Sequence, residues 1–243
     1  MDFSYLNDLS IEQIKKICGD LQIKPDRPKK ELVRSITKSF REYEKYKKNT
    51  IDKYEKTEKL GTGKEGTTYL VKCKDGREYA MKCFKSNKSS AKMRLEAQLQ
   101  TLASDAGISP KIYEMDTVSK YIVMKRMDHH LYDNIKNNNG LLKLNEQKQI
   151  VNILKKLDDI KVFHADSNIL NYMYYDKKLY IIDFGMSKHI DDKLAKKLGT
   201  STPNIDYGVL GLILKLKEFN CPAKSYEHFL KFVSEDNKKK FQL

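Results

Sequence analysis

Apolar residues return at helical spacing through the first forty positions. In "LSIEQIKKICGDL", Ile11, Ile14, Ile17, Cys18 and Leu21 fall on one face. Ser10 stands where a helix is capped, and Gln13 holds the capping-box position three residues later. "IKPDRPKK" breaks the pattern with two prolines. "KKELVRSITKSF" restarts it, with Leu32, Val33, Ile36 and Phe40 on one face. The spacing predicts a small helical unit over 1–40, which cannot bury much surface and would be marginal on its own. Residues 41–56 are charged and Tyr-rich and read as a helical connector.

From Thr57 the period changes. "EKLGTGKEGTTYLVKC" and "GREYAMKCF" read as strands around glycine turns. "SSAKMRLEAQLQTLASDAG" is a helix, "SKYIVMKRM" a buried strand and "NEQKQIVNILKKLDDI" an amphipathic helix. "KKLYIIDFG" is a strand that ends in a turn. "NYMYYDKKLYIIDFG" also admits a hairpin that turns at "DKK", with Asp183 as a capping acid. "NIDYGVLGLILKL" is apolar enough for a buried helix, and the Lys-rich tail "EDNKKKFQL" is expected to fray.

Composition narrows the setting. The 243 residues allow one medium domain and a small appendage. Lys and Arg number 47 against 33 Asp and Glu, for a net charge of +14. Such a surface attracts polyanions. Residues 1–50 carry twelve of the basic residues and eight of the acids. Cys18, Cys73, Cys83 and Cys221 form no CxxC pair and no zinc spacing, so reduced thiols in an intracellular protein are expected. The N-terminus has an early acid and no continuous apolar core, unlike a signal peptide. No run of about 18 apolar residues exists. The expectation is a soluble protein of cytoplasm or nucleus with no membrane partner.

The chemistry-bearing residues follow in order. "LGTGKEGTTYLV" places Gly61, Gly63 and Gly66 between two strands. A GxGxxG alone is weak, and a dinucleotide site would need a helix next. A second strand follows instead, which suits backbone amides lying close over phosphates. That strand carries Lys82, in isolation as readily a solvated face residue. The next helix offers Glu96 as its anion. Then come "HADSNILN", with His164, Asp166 and Asn171, and "DFG", with Asp183.

These five markers in this order resemble the eukaryotic-type protein kinase family. The resemblance covers about residues 57–215 and implies an α+β, two-lobed fold with a small lobe over 57–127 and a large lobe over 128–243. It implies ATP and Mg²⁺ as cofactors. Gly61, Gly63, Gly66 and Lys82 would bind the nucleotide, with Glu96 holding Lys82. Asp166 would take the proton of a Ser/Thr hydroxyl on a protein substrate. Asn171 and Asp183 would hold magnesium. His164 would support the loop without titrating in catalysis. Asp206, in "DYGVLG" with Gly211, would brace the catalytic-loop backbone.

Departures from the family pattern are informative. Ala165 replaces the Arg that reads an activation-loop phosphate, and Asn168 stands where a helper Lys is usual. Asp206 stands only 23 positions after Asp183, and no "APE" lies between them. Only 32 residues follow Gly211, so a truncated C-terminal lobe is expected. In these respects the chain is similar to RIO-type and other compact atypical kinases and to kinases of large DNA viruses, which would act in a host cell. A small-molecule kinase of the same fold is the first alternative. An inactive, nucleic-acid-bound scaffold is the second, and the retained Lys82, Asp166, Asn171 and Asp183 argue against it.

The first forty residues resemble a SAP motif, a helix–turn–helix that binds double-stranded DNA. Leu9, Ile14, Lys15, Cys18, Leu21, Ile23, Lys29, Glu31, Leu32 and Ile36 carry the likeness, and Arg27 departs where that motif prefers Gly. The resemblance implies phosphate contacts from Arg27, Lys29, Lys30 and Arg34. A protein-docking helix pair is the alternative.

Overall fold

A computed structural model describes residues 3–243, without the side chains of Tyr5 and residues 43–52. It divides into two compact units, residues 1–55 with 72–77 and residues 56–71 with 78–243. In the first, α1 (Ile11–Asp20) carries the full capping box: Gln13 N–H donates to Ser10 Oγ, and Ser10 N–H donates to Gln13 Oε1 at 2.7 Å. The helix restarted after the prolines is α2 (Lys29–Lys53). It is one continuous helix through most of the expected connector, whose side chains lie largely outside the described residues. Leu6, Ile14, Cys18, Leu32, Val33 and Ile36 form a small buried core, with the Phe3 and Phe40 rings stacked at 5.4 Å.

The second unit has the expected two-lobed α+β arrangement. Strands β1 (Tyr54–Thr62), β2 (Gly66–Cys73), β3 (Glu78–Phe84), β4 (Ile112–Asp116) and β5 (Tyr121–Lys125) form a sheet in the order β1-β2-β3-β5-β4. Helix α3 (Ser90–Asp105) follows β3, its first turn capped by Ser89. Phe84, Met93, Ala97 and Ile122 pack as the local core of this lobe. Leu99 and Ala103, further along α3, join the larger core instead.

That larger core belongs to the helical lobe. After β6 (His129–His130) and α4 (Leu131–Asn137) comes α5 (Leu144–Asp159), which buries Ile150, Val151, Leu154 and Leu157 at helical spacing. Short strand β7 (Val162–Phe163) pairs antiparallel with β10 (Lys188–His189). Between them, β8 (Tyr172–Tyr175) and β9 (Lys178–Ile181) form a hairpin. Its two turn residues, Asp176 and Lys177, both have positive φ (46° and 61°), the backbone that a two-residue hairpin loop requires. The strand reading and the hairpin turn are therefore both correct, but Asp183 makes no side-chain cap hydrogen bond to the short turn that follows it. Helices α6 (Asp192–Leu198) and α7 (Val209–Glu218) follow, and α7 buries Leu212, Ile213 and Leu216.

The tail does not fray as expected. It forms α8 (Glu235–Phe241), capped by Ser234, because Phe241 and Leu243 pack on the large core. No disulfide links the four cysteines. Among the described residues, no helix is long and apolar enough to cross a membrane.

Candidate active site

Strand register brings the first three residues together. Lys82 on β3 sits opposite Ile122 of β5, and its side chain reaches α3. Its Nζ lies 2.7 Å from Glu96 Oε1 and 2.8 Å from Asp183 Oδ1. Glu96 is buried, whereas the Asp183 side chain is 49% exposed. Burial works against the Lys82 charge, but Glu96 and then Asp183 outweigh it and hold the ammonium above the ordinary lysine value. Burial likewise pushes the Asp183 carboxyl up. Lys82 outweighs this, aided by the Gly185 N–H, and the carboxyl lies below its ordinary value.

The hairpin sets the next pair. Tyr172 pairs with Ile181, so Asn171 and Ile182 meet at the same end, and Ile182 N–H donates to Asn171 O at 2.9 Å. Asp183 follows directly. Asn171 Nδ2 donates to the Asp166 carbonyl at 2.7 Å and to its carboxylate at 3.1 Å. Asn168, at the helper-Lys position, donates to the other carboxylate oxygen at 3.0 Å. Two neutral amides thus fix the Asp166 carboxylate. Ala165 and Asp183 flank the site with positive φ (63° and 64°), a strained backbone for residues with a Cβ.

His164 is fully buried. Nε2 lies 3.0 Å from Ile182 O, and the ring meets Phe184 edge-on at 4.9 Å. Burial pushes the imidazole below its ordinary pKa, against the opposing pull of the Ile182 carbonyl and the nearby carboxylates.

The brace expected of Asp206 is made by other residues. The Asp206 carboxylate accepts from the Thr200 and Thr202 hydroxyls, the latter at 2.9 Å. Asn204, two residues earlier, holds the catalytic loop: His164 N–H donates to Asn204 Oδ1 at 3.0 Å, and Asn204 Nδ2 donates to Val162 O at 2.7 Å. Asp158 at the end of α5 fixes Asn204 in turn, accepting from its N–H and side-chain amide. Within the turn over Asn204–Gly208, Asn204 is buried against the loop, whereas Asp206 is half-buried and turned to Thr200 and Thr202, which the motif spacing could not show. Gly208 lets this turn pass close to the loop, since a Cβ there would lie 3.2 Å from Ser167 Oγ.

The three glycines differ. None has positive φ. A Cβ on Gly66 would lie 2.3 Å from Cys83 O, so sheet packing alone demands that glycine. Gly61 has open space, and Gly63 has only Gly66 O, at 4.0 Å, near its Cβ position. Two further residues that sequence reasoning missed join the cluster. Lys88, in the turn after β3, pairs with both Glu65 and Glu96. No sequence signal marks it among so many lysines. "GKEG" does show an acid in the glycine turn.

A family profile described as "Protein kinase domain" matches residues 54–204. The chain belongs to the protein kinase domain family. Members of that family are in general phosphotransferases that use ATP and Mg²⁺. Two archaeal relatives share the name "Probable bifunctional tRNA threonylcarbamoyladenosine biosynthesis protein". The one from Methanobrevibacter smithii is 23% identical over 144 residues, covering 59% of this chain and 26% of the relative. The one from Methanocaldococcus jannaschii is 35% identical over 94 residues, covering 38% and 17%. This chain thus spans about a quarter or less of the length of the relatives it matches. The family match begins at residue 54 and leaves the helical unit outside it.

In the first unit, of the four residues expected to meet DNA, Arg27, Lys30 and Arg34 are exposed. Lys29 is engaged within the unit, its ammonium donating to Asn7 O at 2.7 Å. A shallow groove of about 550 Å³ runs along α2, lined by Lys30, Arg34, Lys38 and Arg41 together with Asn7, Val33, Thr37 and Glu42. Arg27 is not among its lining residues.

Proposed function

We propose that the chain is an ATP- and Mg²⁺-dependent kinase that phosphorylates a Ser/Thr hydroxyl of a protein. The observation that carries this reading is the single Lys82 ammonium held between Glu96 and Asp183, with Asp166 fixed beside Asn171. The donor set fits the metal: a carboxylate at Asp183 and an amide oxygen at Asn171 are the hard ligands that magnesium prefers. Bound ATP with magnesium supplies the transferable phosphoryl group and the charge that offsets it. Lys82, positioned by Glu96, grips phosphate oxygens. Asp166 accepts the acceptor hydroxyl's proton at its carboxylate, which Asn168 and Asn171 hold in place. Catalysis here is positioning and charge compensation. Labelled ATP offered with protein and metabolite acceptors tests the reading, with Asp183→Ala as control. Transfer to a metabolite alone would favour the small-molecule alternative, and no transfer at all would favour the inactive scaffold.

The helical unit adds a tether in this reading. The cation stripe on α2, with Arg27 beside the turn, would meet the phosphates of double-stranded DNA as a SAP-like motif does. The relatives' names favour a second reading in which the nucleic acid is tRNA and the chain serves threonylcarbamoyladenosine biosynthesis. Binding of duplex DNA and of tRNA to the whole chain, compared at one salt concentration, separates the two.

A further inference from the structure

Lys88 lies in the turn between β3 and α3, where a lysine is ordinarily solvated. Instead its side chain is only 4% exposed. Its ammonium donates to Glu96 on α3 and to Glu65 at the tip of the glycine turn, and it lies 4.8 Å over the Phe84 ring. Glu96 is thereby shared, one oxygen on Lys82 and the other on Lys88. The backbone around Lys88 is fixed as well: Lys120 Nζ donates to the carbonyls of Ser86 and Lys88.

Glu65 is bound twice. Its carbonyl accepts from Lys85 N–H at 2.9 Å, and its carboxylate accepts from Lys88. That carboxylate also reaches the far side of the site, where a Cβ on Gly185 would lie 2.5 Å from Glu65 Oε2 and 3.3 Å from Asp183 Oδ1. The cluster therefore holds two cations, Lys82 and Lys88, against three carboxylates, Glu65, Glu96 and Asp183.

We propose that Lys88 and Glu65 form a tether by which α3 holds the glycine turn in place, making Lys88 a second positioning lysine for nucleotide phosphates. The proposal rests on the kinase reading above for its nucleotide, but the tether itself is a property of the nucleotide-free chain. Without Lys88, one ammonium faces three carboxylates in the space that must accept a triphosphate. Phosphate binding then weakens through repulsion as well as through a looser turn. Removing the Glu65 carboxylate as well restores the charge balance while leaving the turn loose.

Hydrogen–deuterium exchange on the whole 243-residue chain without nucleotide tests the tether. Glu65→Ala alters a partly exposed side chain and should speed exchange at the amides of residues 61–66 by about tenfold, a local opening of the turn. Unchanged exchange there overturns the proposal, whether or not a Lys88 variant folds. Binding of a fluorescent ATP analogue with Mg²⁺ then tests the charge argument. Lys88→Met should weaken binding about tenfold, and Lys88→Met with Glu65→Ala should recover at least about threefold of that loss. A purely structural Lys88 would give a double variant as weak as the single or weaker, and that result overturns the positioning role. If the unmodified chain binds no analogue, the kinase reading fails, and the exchange experiment still decides the tether.

Discussion

Two regions hold this site together by different means. Beside the sheet, Lys82, Lys88, Glu65, Glu96 and Asp183 are all charged and hold one another. Under the catalytic loop, Asn204 does comparable work with a neutral amide that donates to Val162 O and accepts from His164 N–H. In the proposed function the charged cluster would grip phosphate and metal, because its groups carry the fields those ligands need. It is also vulnerable, since losing one partner strands another charge. The Asn204 amide spends its hydrogen bonds on the loop backbone and on Asp158. The side chains around Lys82 are thus mutually paired ions, whereas the group that touches the catalytic-loop backbone is a neutral amide, itself anchored on the Asp158 carboxylate.

The largest effect should come from breaking the charged side. Lys82→Ala and Asp183→Ala should each lower phosphoryl transfer about a thousandfold or more, with the unfolding transition kept, as steady-state turnover and urea titration would show. Wild-type turnover in either variant would end the kinase assignment.

The brace comes next. Asn204→Ala removes two hydrogen bonds to buried backbone and should cost about 2–3 kcal/mol in urea unfolding and slow turnover, while leaving ATP affinity near wild type. Asp206→Ala should have a much smaller effect on both. The reverse order would return the bracing role to Asp206.

A third use of charge sharpens the contrast, because the α2 stripe is exposed and open to salt. Replacing Lys30, Arg34, Lys38 and Arg41 with Gln should lower the slope of log affinity against log salt for duplex binding by about 0.9 for each cation that meets a phosphate. Turnover on a free acceptor should not change. An unaltered slope would leave the helical unit a protein-docking element.

Smaller still is the pH response of the brace. Burial depresses the folded pKa of His164, so the unfolded chain takes up a proton first as pH falls. Its contribution to stability is present above about pH 6.5, the ordinary histidine value, and is lost as pH falls from there toward the folded pKa. Thermal melts from pH 7.5 to 5 should show this loss, and His164→Asn should flatten it, by at most about 1.4 kcal/mol per pH unit. The smallest expected effect is none. With Ala165 in place of the phosphate-reading Arg, phosphatase treatment should change turnover less than about twofold, and abolished activity would show that another basic residue reads a phosphate.

What could be read from the chain alone is local. Periodicity found α1, α3, α5 and α7, the capping box at Ser10 worked as its spacing suggested, and the five kinase markers stand in an order that each motif's chemistry explains. Asp183 and Lys82 could be named because their neighbours in sequence define them. The tail helix, the choice of Asn204 over Asp206 and the burial of Lys88 could not. Each depends on residues far apart in the chain. Phe241 orders the tail only because the large core is there to receive it, and Asn204 braces the loop only because its turn faces α5 and β7. Sequence sets propensity, pattern and the chemical groups available. Which polar group is buried, and against what partner, is settled only when the fold removes water from one side of it and leaves it no other partner.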